Sequence, residues 1–219
     1  MAPAAPRLRE TPYVWVSWVA SLLSGDRNCE WAAWFRAHYH HIKRPNNFDS
    51  TSYQIQHTAL VSQFRNQQVS DGYTVTVEAQ NEFRMKGKAG ILSGMPDLVA
   101  LKGDAGVIVD AKAGMPKGSH CAQVMLYMWA LPIAVPRLRG IKFDGQVVYQ
   151  TRTSTILASD IDESFIDRVG KMLRMICGDT PPARTPSARE CRYCEISADD
   201  CPDLIDNVLT DEPGVTDVF

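Results

Sequence analysis

The stretch from Gly94 to Lys112 reads GMPDLVALKGDAGVIVDAK. Two apolar runs, Leu98–Leu101 and Val107–Val109, flank Gly103-Asp104, a hairpin-type turn signal. The pattern predicts one strand over residues 91–102 and a second over 105–112. Asp110 and Lys112 are two apart, so on a strand they point to the same side of the sheet. The turn brings Asp97, on the first strand, beside Asp110. Two adjacent carboxylates each resist ionising. A divalent cation removes that penalty by binding both through oxygen. It can then polarise a phosphate and lower the pKa of a water. A neighbouring lysine can position that water and offset charge on the phosphate. These are the parts of a phosphodiester hydrolase. A D-x-K tripeptide alone is more often a charged strand end with a surface lysine. Here the Val107–Val109 run makes Asp110 and Lys112 emerge from a buried strand, which favours the chemical reading.

Outward from this hairpin the period changes. Upstream, Ser17–Leu23 reads as a short helix stopped at Gly25, and Glu30–Tyr39 as a second, with Trp31, Trp34, Phe35 and His38 at helical spacing. Residues 42–50 read as a loop and 51–69 as a third helix. On that helix His57, Leu60, Val61 and Phe64 fall at i, i+3, i+4 and i+7, so His57 shares an apolar, inward face. Tyr73, Val75 and Val77 alternate as a half-buried strand. Downstream come a helix over 119–131, strands over 146–152 and 154–158, and a helix over 162–176. The expected class is α/β: N-terminal helices, a central mixed sheet and flanking helices. The chain divides into an N-terminal helical region (1–72) carrying Cys29 and His57, a core (73–178), and a C-terminal cysteine-bearing segment with an acidic tail (179–219).

The chain has 219 residues, 45% of them hydrophobic and 22% charged, enough for a core without disulfide support. It contains no run of about 18 apolar residues, so a membrane span is not expected, and no apolar stretch near the N-terminus reads as a signal peptide. The expected location is cytoplasmic. The net charge is -2, but it is unevenly distributed. Nine basic and three acidic residues lie between Arg84 and Lys142, whereas seven basic and fifteen acidic residues follow from Phe143 onward. A basic stretch is often only a solvated face; this one surrounds the acidic pair.

Six cysteines occur: Cys29, Cys121, Cys177, Cys191, Cys194 and Cys201. In a cytosolic chain disulfides are not expected. Cys191-x2-Cys194-x6-Cys201 is a ligand-like spacing, because closely spaced thiolates can converge on one metal centre. Cys29, at a helix start, is the best fourth ligand. Cys121 and Cys177 read as small buried hydrophobes. Four thiolates suit zinc or a cubane iron–sulfur cluster; spacing does not decide between them, and zinc is the better default.

Pro96-Asp97 followed by Asp110-Ala111-Lys112 resembles the motif of the PD-(D/E)xK nuclease superfamily. Gln123-x-x-x-Tyr127 on the next helix is similar to the Q-x-x-x-Y element of its RecB-type branch, and i, i+4 spacing turns both side chains one way. His57 sits where that branch often carries a metal-binding histidine. One upstream cysteine and a C-terminal triad ending Cys201-Pro202 resemble the iron–sulfur RecB-type exonucleases, among them the CRISPR-associated Cas-four family. The resemblance runs from Cys29 to Cys201. It implies a restriction-endonuclease-like core and a 4Fe-4S cluster on Cys29, Cys191, Cys194 and Cys201. It further implies magnesium or manganese held by Asp97, Asp110, His57 and the Ala111 carbonyl. Lys112 would orient the attacking water, and Gln123 and Tyr127 would position the strand or Lys112. The implied activity is exonucleolytic cleavage of single-stranded DNA ends, with trimming of DNA for CRISPR spacer acquisition and the adaptation integrase as partner. A stand-alone or phage-borne recombination and repair nuclease fits the same motifs. A non-enzymatic reading is a metal-stapled DNA-binding or assembly module. Glu78 and Glu82 precede the motif and are weaker candidates. The net acidity and the acidic tail from Asp199 to Asp217 depart from what the family leads one to expect.

Overall fold

The computed structural model describes residues 5–45 and 50–205; the acidic tail beyond Ile205 and part of the 42–50 loop lie outside them. In chain order the elements are β1 (Arg7–Leu8), β2 (Tyr13–Trp15), α1 (Val16–Leu23), α2 (Glu30–His38), β3 (Tyr39–His40) and α3 (Ser50–Ser70). Then come β4 (Thr74–Val77), β5 (Phe83–Lys86), β6 (Ile91–Gly94), β7 (Leu98–Lys102) and β8 (Ala105–Ala111). The chain continues with α4 (Gly118–Ala134), β9 (Lys142–Val148), β10 (Thr153–Ile156), α5 (Glu163–Cys177) and α6 (Ala188–Cys191). The fold is α/β, with mixed sheets flanked by helices.

The main sheet has the order β10-β9-β8-β7-β4. Its pairs are antiparallel except β8 with β9, which run parallel and are joined through α4; a parallel pair requires such a crossover. Side chains alternate between the two faces of the sheet. Leu98, Ala100, Val109, Ala111 and Val148 pack with Leu60 and Val61 of α3. Val99, Ile108 and Val147 face the other way, into the larger core formed with Val124, Leu126, Tyr127 and Leu131 of α4. Asp110 and Lys112 share the parity of Ile108 and so lie on the α4 side. Removing Leu60 or Val61 from water stabilises the α3 contact by about 1.5–3 kcal/mol each. No helix among the described residues is long and apolar enough to cross a membrane.

The strand expected over 146–152 is β9, Lys142–Val148, and β5 was not expected; three further departures from the sequence pattern bear on the site. The single strand expected over 91–102 is two strands in different sheets. Ile91–Gly94 pairs with β2 and β5, and Leu98–Lys102 pairs with β4 and β8. Pro96 sits at the break, where a residue without an N–H cannot join a ladder. Second, the N-terminal region contributes strands as well as helices: β2 pairs parallel with β6, Trp15 opposite Ser93. Such short strands carry too few residues for a period to show. Third, α4 runs through Pro132 to Ala134. That proline falls in the last turn, where it removes one internal hydrogen bond and leaves the rest of the helix intact.

A candidate active site between two sheets

The β7–β8 register pairs Leu98 with Val109 and Val99 with Ile108. One further step along it sets Asp97 opposite Asp110. The turn at Gly103 has φ 64°, a backbone that glycine adopts without strain. Asp97 Oδ2 accepts two hydrogen bonds, from the Ala111 amide at 2.7 Å and from His57 Nε2 at 3.0 Å. The bond to Asp97 raises the His57 pKa and outweighs the opposing effect of burial. His57 thus approaches the pair from α3, one turn before Leu60.

Asp110 is 1% exposed. Lys112 Nζ lies 2.7 Å from its Oδ2. That contact is a charge-assisted ion pair, and among the described residues it is the one polar contact this buried oxygen has. Gln123 Nε2 reaches the other oxygen, Oδ1, at 3.4 Å. Burial pushes the Asp110 carboxyl up to about 6, and the nearby Asp97 charge adds to this while Lys112 opposes it. Burial alone would lower the Lys112 pKa, but the Asp110 charge beside it holds it above the usual value. Lys112 is therefore a cation at neutral pH, suited to donating hydrogen bonds and offsetting negative charge.

Gln123 connects these groups. Its Oε1 accepts from Lys112 Nζ at 3.4 Å, and its Nε2 also donates to Tyr127 Oη at 2.8 Å. Tyr127 in turn donates to the Met95 carbonyl at 3.4 Å. Burial holds the Tyr127 phenol well above its ordinary pKa, so it stays protonated. Tyr127 reaches this position over Gly94: a Cβ there would lie 2.7 Å from the tyrosine ring and 2.9 Å from Phe83. The N-terminus of α4 is anchored from another loop, with the Ser119 amide donating to Asp26 Oδ2 at 2.9 Å. A carboxylate there satisfies a free helix N–H and suits the helix dipole.

Of three further residues of the site, the sequence reading offered Glu78 only as a weaker candidate carboxylate and passed over Asn81 and His120. The amide of Glu78 donates to the Asp97 carbonyl at 2.9 Å, and Glu78 adopts φ 45°. A left-handed backbone at a non-glycine residue is locally strained; the Glu78 side chain itself is exposed. Asn81, 4% exposed, donates from Nδ2 to the carbonyls of Thr76 at 3.0 Å and Pro96 at 3.1 Å. Its Oδ1 accepts from the Thr76 hydroxyl at 2.6 Å. A buried asparagine carries no motif; only its place between two strands could have marked it. Asn81→Ala leaves the Pro96 carbonyl and the Thr76 hydroxyl without these partners. The expected cost is about 1–3 kcal/mol, read in urea unfolding. The third, His120 on α4, lies 3.0 Å from the Tyr149 hydroxyl through Nδ1. Burial, with help from the Lys112 and Lys117 charges, lowers its pKa to about 4. Its folded pKa lies below the unfolded value of about 6.5, so the unfolded chain binds the proton first on acidification. Stability is full above about pH 6.5 and declines toward pH 4. His120 is half-buried, and solvent screening limits the loss to about 1–2 kcal/mol. His120→Gln is expected to flatten this decline in denaturant titrations at pH 7 and pH 5.

The four cysteines Cys29, Cys191, Cys194 and Cys201 line one cavity. Glu190 closes it from the protein side: its carboxylate accepts from the amides of Asn28 at 2.9 Å and Cys29 at 3.2 Å. Thr185 donates its hydroxyl to the Asn28 carbonyl at 3.1 Å. Trp31, Trp34, Phe35 and Ile196 pack around the cavity with Cys201. Burial raises the Cys194 and Cys201 pKa values. Among the described residues, no three or more His, Cys, Asp or Glu side chains stand in a geometry that would hold a single metal ion directly. Cys177 is buried and Cys121 half-buried, both against the main core.

The molecule is thus an α/β protein with a carboxylate–lysine–glutamine–tyrosine site at the junction of two sheets and a separate four-cysteine cavity. No family model matches the chain, and no curated protein matches it. A solved structure described as the crystal structure of SSO0001 covers 91% of this chain and 90% of its own, at 16% identity and a TM-score of 0.46. A likeness at that level carries no argument about fold or function.

Proposed function

We propose that the protein is a divalent-metal-dependent deoxyribonuclease of the PD-(D/E)xK, RecB-like type, acting on single-stranded DNA ends. The observation that carries this reading is the buried Asp110 Oδ2. Its one polar contact among the described residues is the Lys112 ammonium, and it stands one step beyond the Leu98–Val109 pair, opposite Asp97. An anionic oxygen held in this way fits a cation. The carboxylates of Asp97 and Asp110 would hold magnesium or manganese, with the Ala111 carbonyl and His57 as further ligands. Asp97 Oδ2 is already taken by the Ala111 amide and His57. Its Oδ1 has no donor among the described residues, and His57 would exchange its bond to Asp97 for one to the metal. The ion would supply Lewis acidity, charge neutralisation at the phosphate and an acidified water.

The remaining work falls to the chain. Lys112, kept cationic by Asp110, donates to the attacking water and balances charge building on the phosphate. Gln123 holds the Lys112 ammonium and the Asp110 carboxylate in fixed relation through its two ends. Tyr127 fixes Gln123 and ties α4 to the strand break ahead of Asp97. Water attacks phosphorus in line, the P–O bond to the leaving nucleotide breaks, one proton of the water passes to solvent, and the departing oxygen takes up a proton from solvent. The four cysteines, gathered on one cavity, suit a 4Fe-4S cluster with a structural role; zinc is the alternative. The biological setting we propose is trimming of DNA before spacer integration, alongside the CRISPR adaptation integrase. The test is digestion of end-labelled single-stranded DNA with and without manganese, repeated on Asp97→Ala. Metal-dependent shortening that Asp97→Ala abolishes supports the reading; wild-type protein inert with both magnesium and manganese overturns it.

A further inference from the structure

Beside the cysteine cavity lies a second, open cavity of about 830 Å³. Five cationic side chains line it, Arg27, Arg36, Lys43, Arg44 and Arg192, against one carboxylate, Glu195, among the described residues. Three aromatic side chains share the wall: Trp15, Trp18 and Tyr193. Glu195 offsets only part of this charge, lying 2.8 Å from Lys43 and 3.7 Å from Arg36. Arg27 donates to the carbonyls of Glu190 and Tyr193, bonds that orient a guanidinium without cancelling its charge. Arg44 donates to the Cys191 carbonyl. The Arg36 guanidinium stacks over the Trp18 ring at 4.7 Å, and Tyr193 is 65% exposed. A concave surface with this surplus of cations, in a chain of net charge -2, is a focused positive field.

We propose that this cavity is a second nucleic-acid contact, binding the phosphates and unstacked bases of a single strand whose end lies in the Asp97–Asp110 site. The inference rests on the nuclease reading and deepens it. Cations tracking a backbone, interleaved with aromatic faces, are the arrangement by which proteins bind single strands without reading sequence. The cavity is also close enough. Trp15 pairs with Ser93, and Ser93 precedes Asp97 by four residues along the chain. Chain length and strand spacing therefore keep the Trp15 and Asp97 backbones within about 20 Å of each other. A few nucleotides of one strand bridge that distance.

The test is binding of a labelled oligothymidylate of about 16 nucleotides to the full chain, with calcium replacing magnesium, over a series of salt concentrations. Lys43→Ala combined with Arg192→Ala is expected to weaken binding about tenfold and to lower the log–log salt slope by about 1.4, at about 0.7 per lost phosphate contact. Tyr193→Ala is expected to weaken binding severalfold and leave the slope unchanged, because a stacked base releases no counterion. Melting and bound-metal content check that each variant is folded. Lys43 lies outside the cysteine segment, so Lys43→Ala alone, with a slope change of about 0.7, carries the test if Arg192→Ala disturbs it. Wild-type affinity and slope in the folded Lys43→Ala variant overturn the proposal. So does displacement of the strand by pyrophosphate or polyglutamate at equal affinity with Tyr193→Ala silent, which would assign the cavity to small anions or to an acidic protein. Because no hydrolysis is measured, this outcome is separate from the nuclease reading. A protein that cleaves normally while these variants bind normally loses only the second contact. One that binds through the cavity but never cleaves loses only the nuclease.

Discussion

Asp110→Ala and Lys112→Ala are each expected to slow hydrolysis of end-labelled single-stranded DNA by at least about a hundredfold, the scale on which a preorganised charge at a reacting group acts. The two substitutions should differ in what else they change. Asp110 is a proposed metal ligand, so its loss should abolish manganese binding seen by calorimetry. Lys112 touches Asp110 but is not a proposed ligand; Lys112→Ala should retain manganese binding and lose the rate. Removing the ammonium also leaves the buried Asp110 without its counter-charge, a change that costs stability when no metal is present. Lys112→Met, which keeps the stem and discards the charge, separates packing from chemistry. Melting curves in manganese verify that each protein is folded. Variants that are folded and cleave at the wild-type rate would remove this site from the reaction.

The largest effect on stability is expected from the cysteines. Cys29→Ala or Cys201→Ala should eliminate bound iron and sulfide, together with the visible absorbance of anaerobically purified protein. It should also lower unfolding free energy by about 5 kcal/mol or more, comparable with the whole stability of many domains. The physical reason is that a centre held by both residues closes most of the chain into one loop. Cys121→Ala and Cys177→Ala touch no part of that cavity and should retain the metal. Zinc recovered in place of iron and sulfide identifies the other metal; metal content unchanged in Cys29→Ala removes that residue from the ligand set.

Much of the α/β pattern was legible because its signals are local. The Leu98–Leu101 and Val107–Val109 runs, the Gly103-Asp104 turn and the i, i+3, i+4, i+7 face of α3 depend only on near neighbours. The pairing of Asp97 with Asp110 followed from that turn, and the approach of Gln123 and Tyr127 from helical spacing once a helix was placed after Lys112. What stayed hidden is whatever depends on distant partners. The break at Pro96 exists because β6 finds β2, nearly eighty residues earlier in the chain, in place of a continuation into β7. Asn81, His120 and the capping carboxylate of Asp26 draw their roles from groups on other elements. The basic cavity combines residues from β2, α1, α2 and the segment after α6. Four of its charges lie between Arg27 and Arg44 and the fifth is Arg192, so all five fall outside the stretch between Arg84 and Lys142 that the charge count singled out.

The chain between the two sheets has its own hydrogen-bond economy. The carbonyls of Met95, Pro96 and Asp97 each receive a different donor: the Tyr127 hydroxyl, the Asn81 amide and the Glu78 backbone. None of the three belongs to the short signature by which such sites are recognised except Tyr127. The acidic signature is therefore not portable by itself. Grafting Pro96-Asp97 and Asp110-x-Lys112 onto a regular hairpin of another protein would carry over the side chains and lose the backbone that aims the first carboxylate. A transplant that retains function needs the left-handed residue at 78, the asparagine at 81 and a glycine at 94 that lets the tyrosine close in.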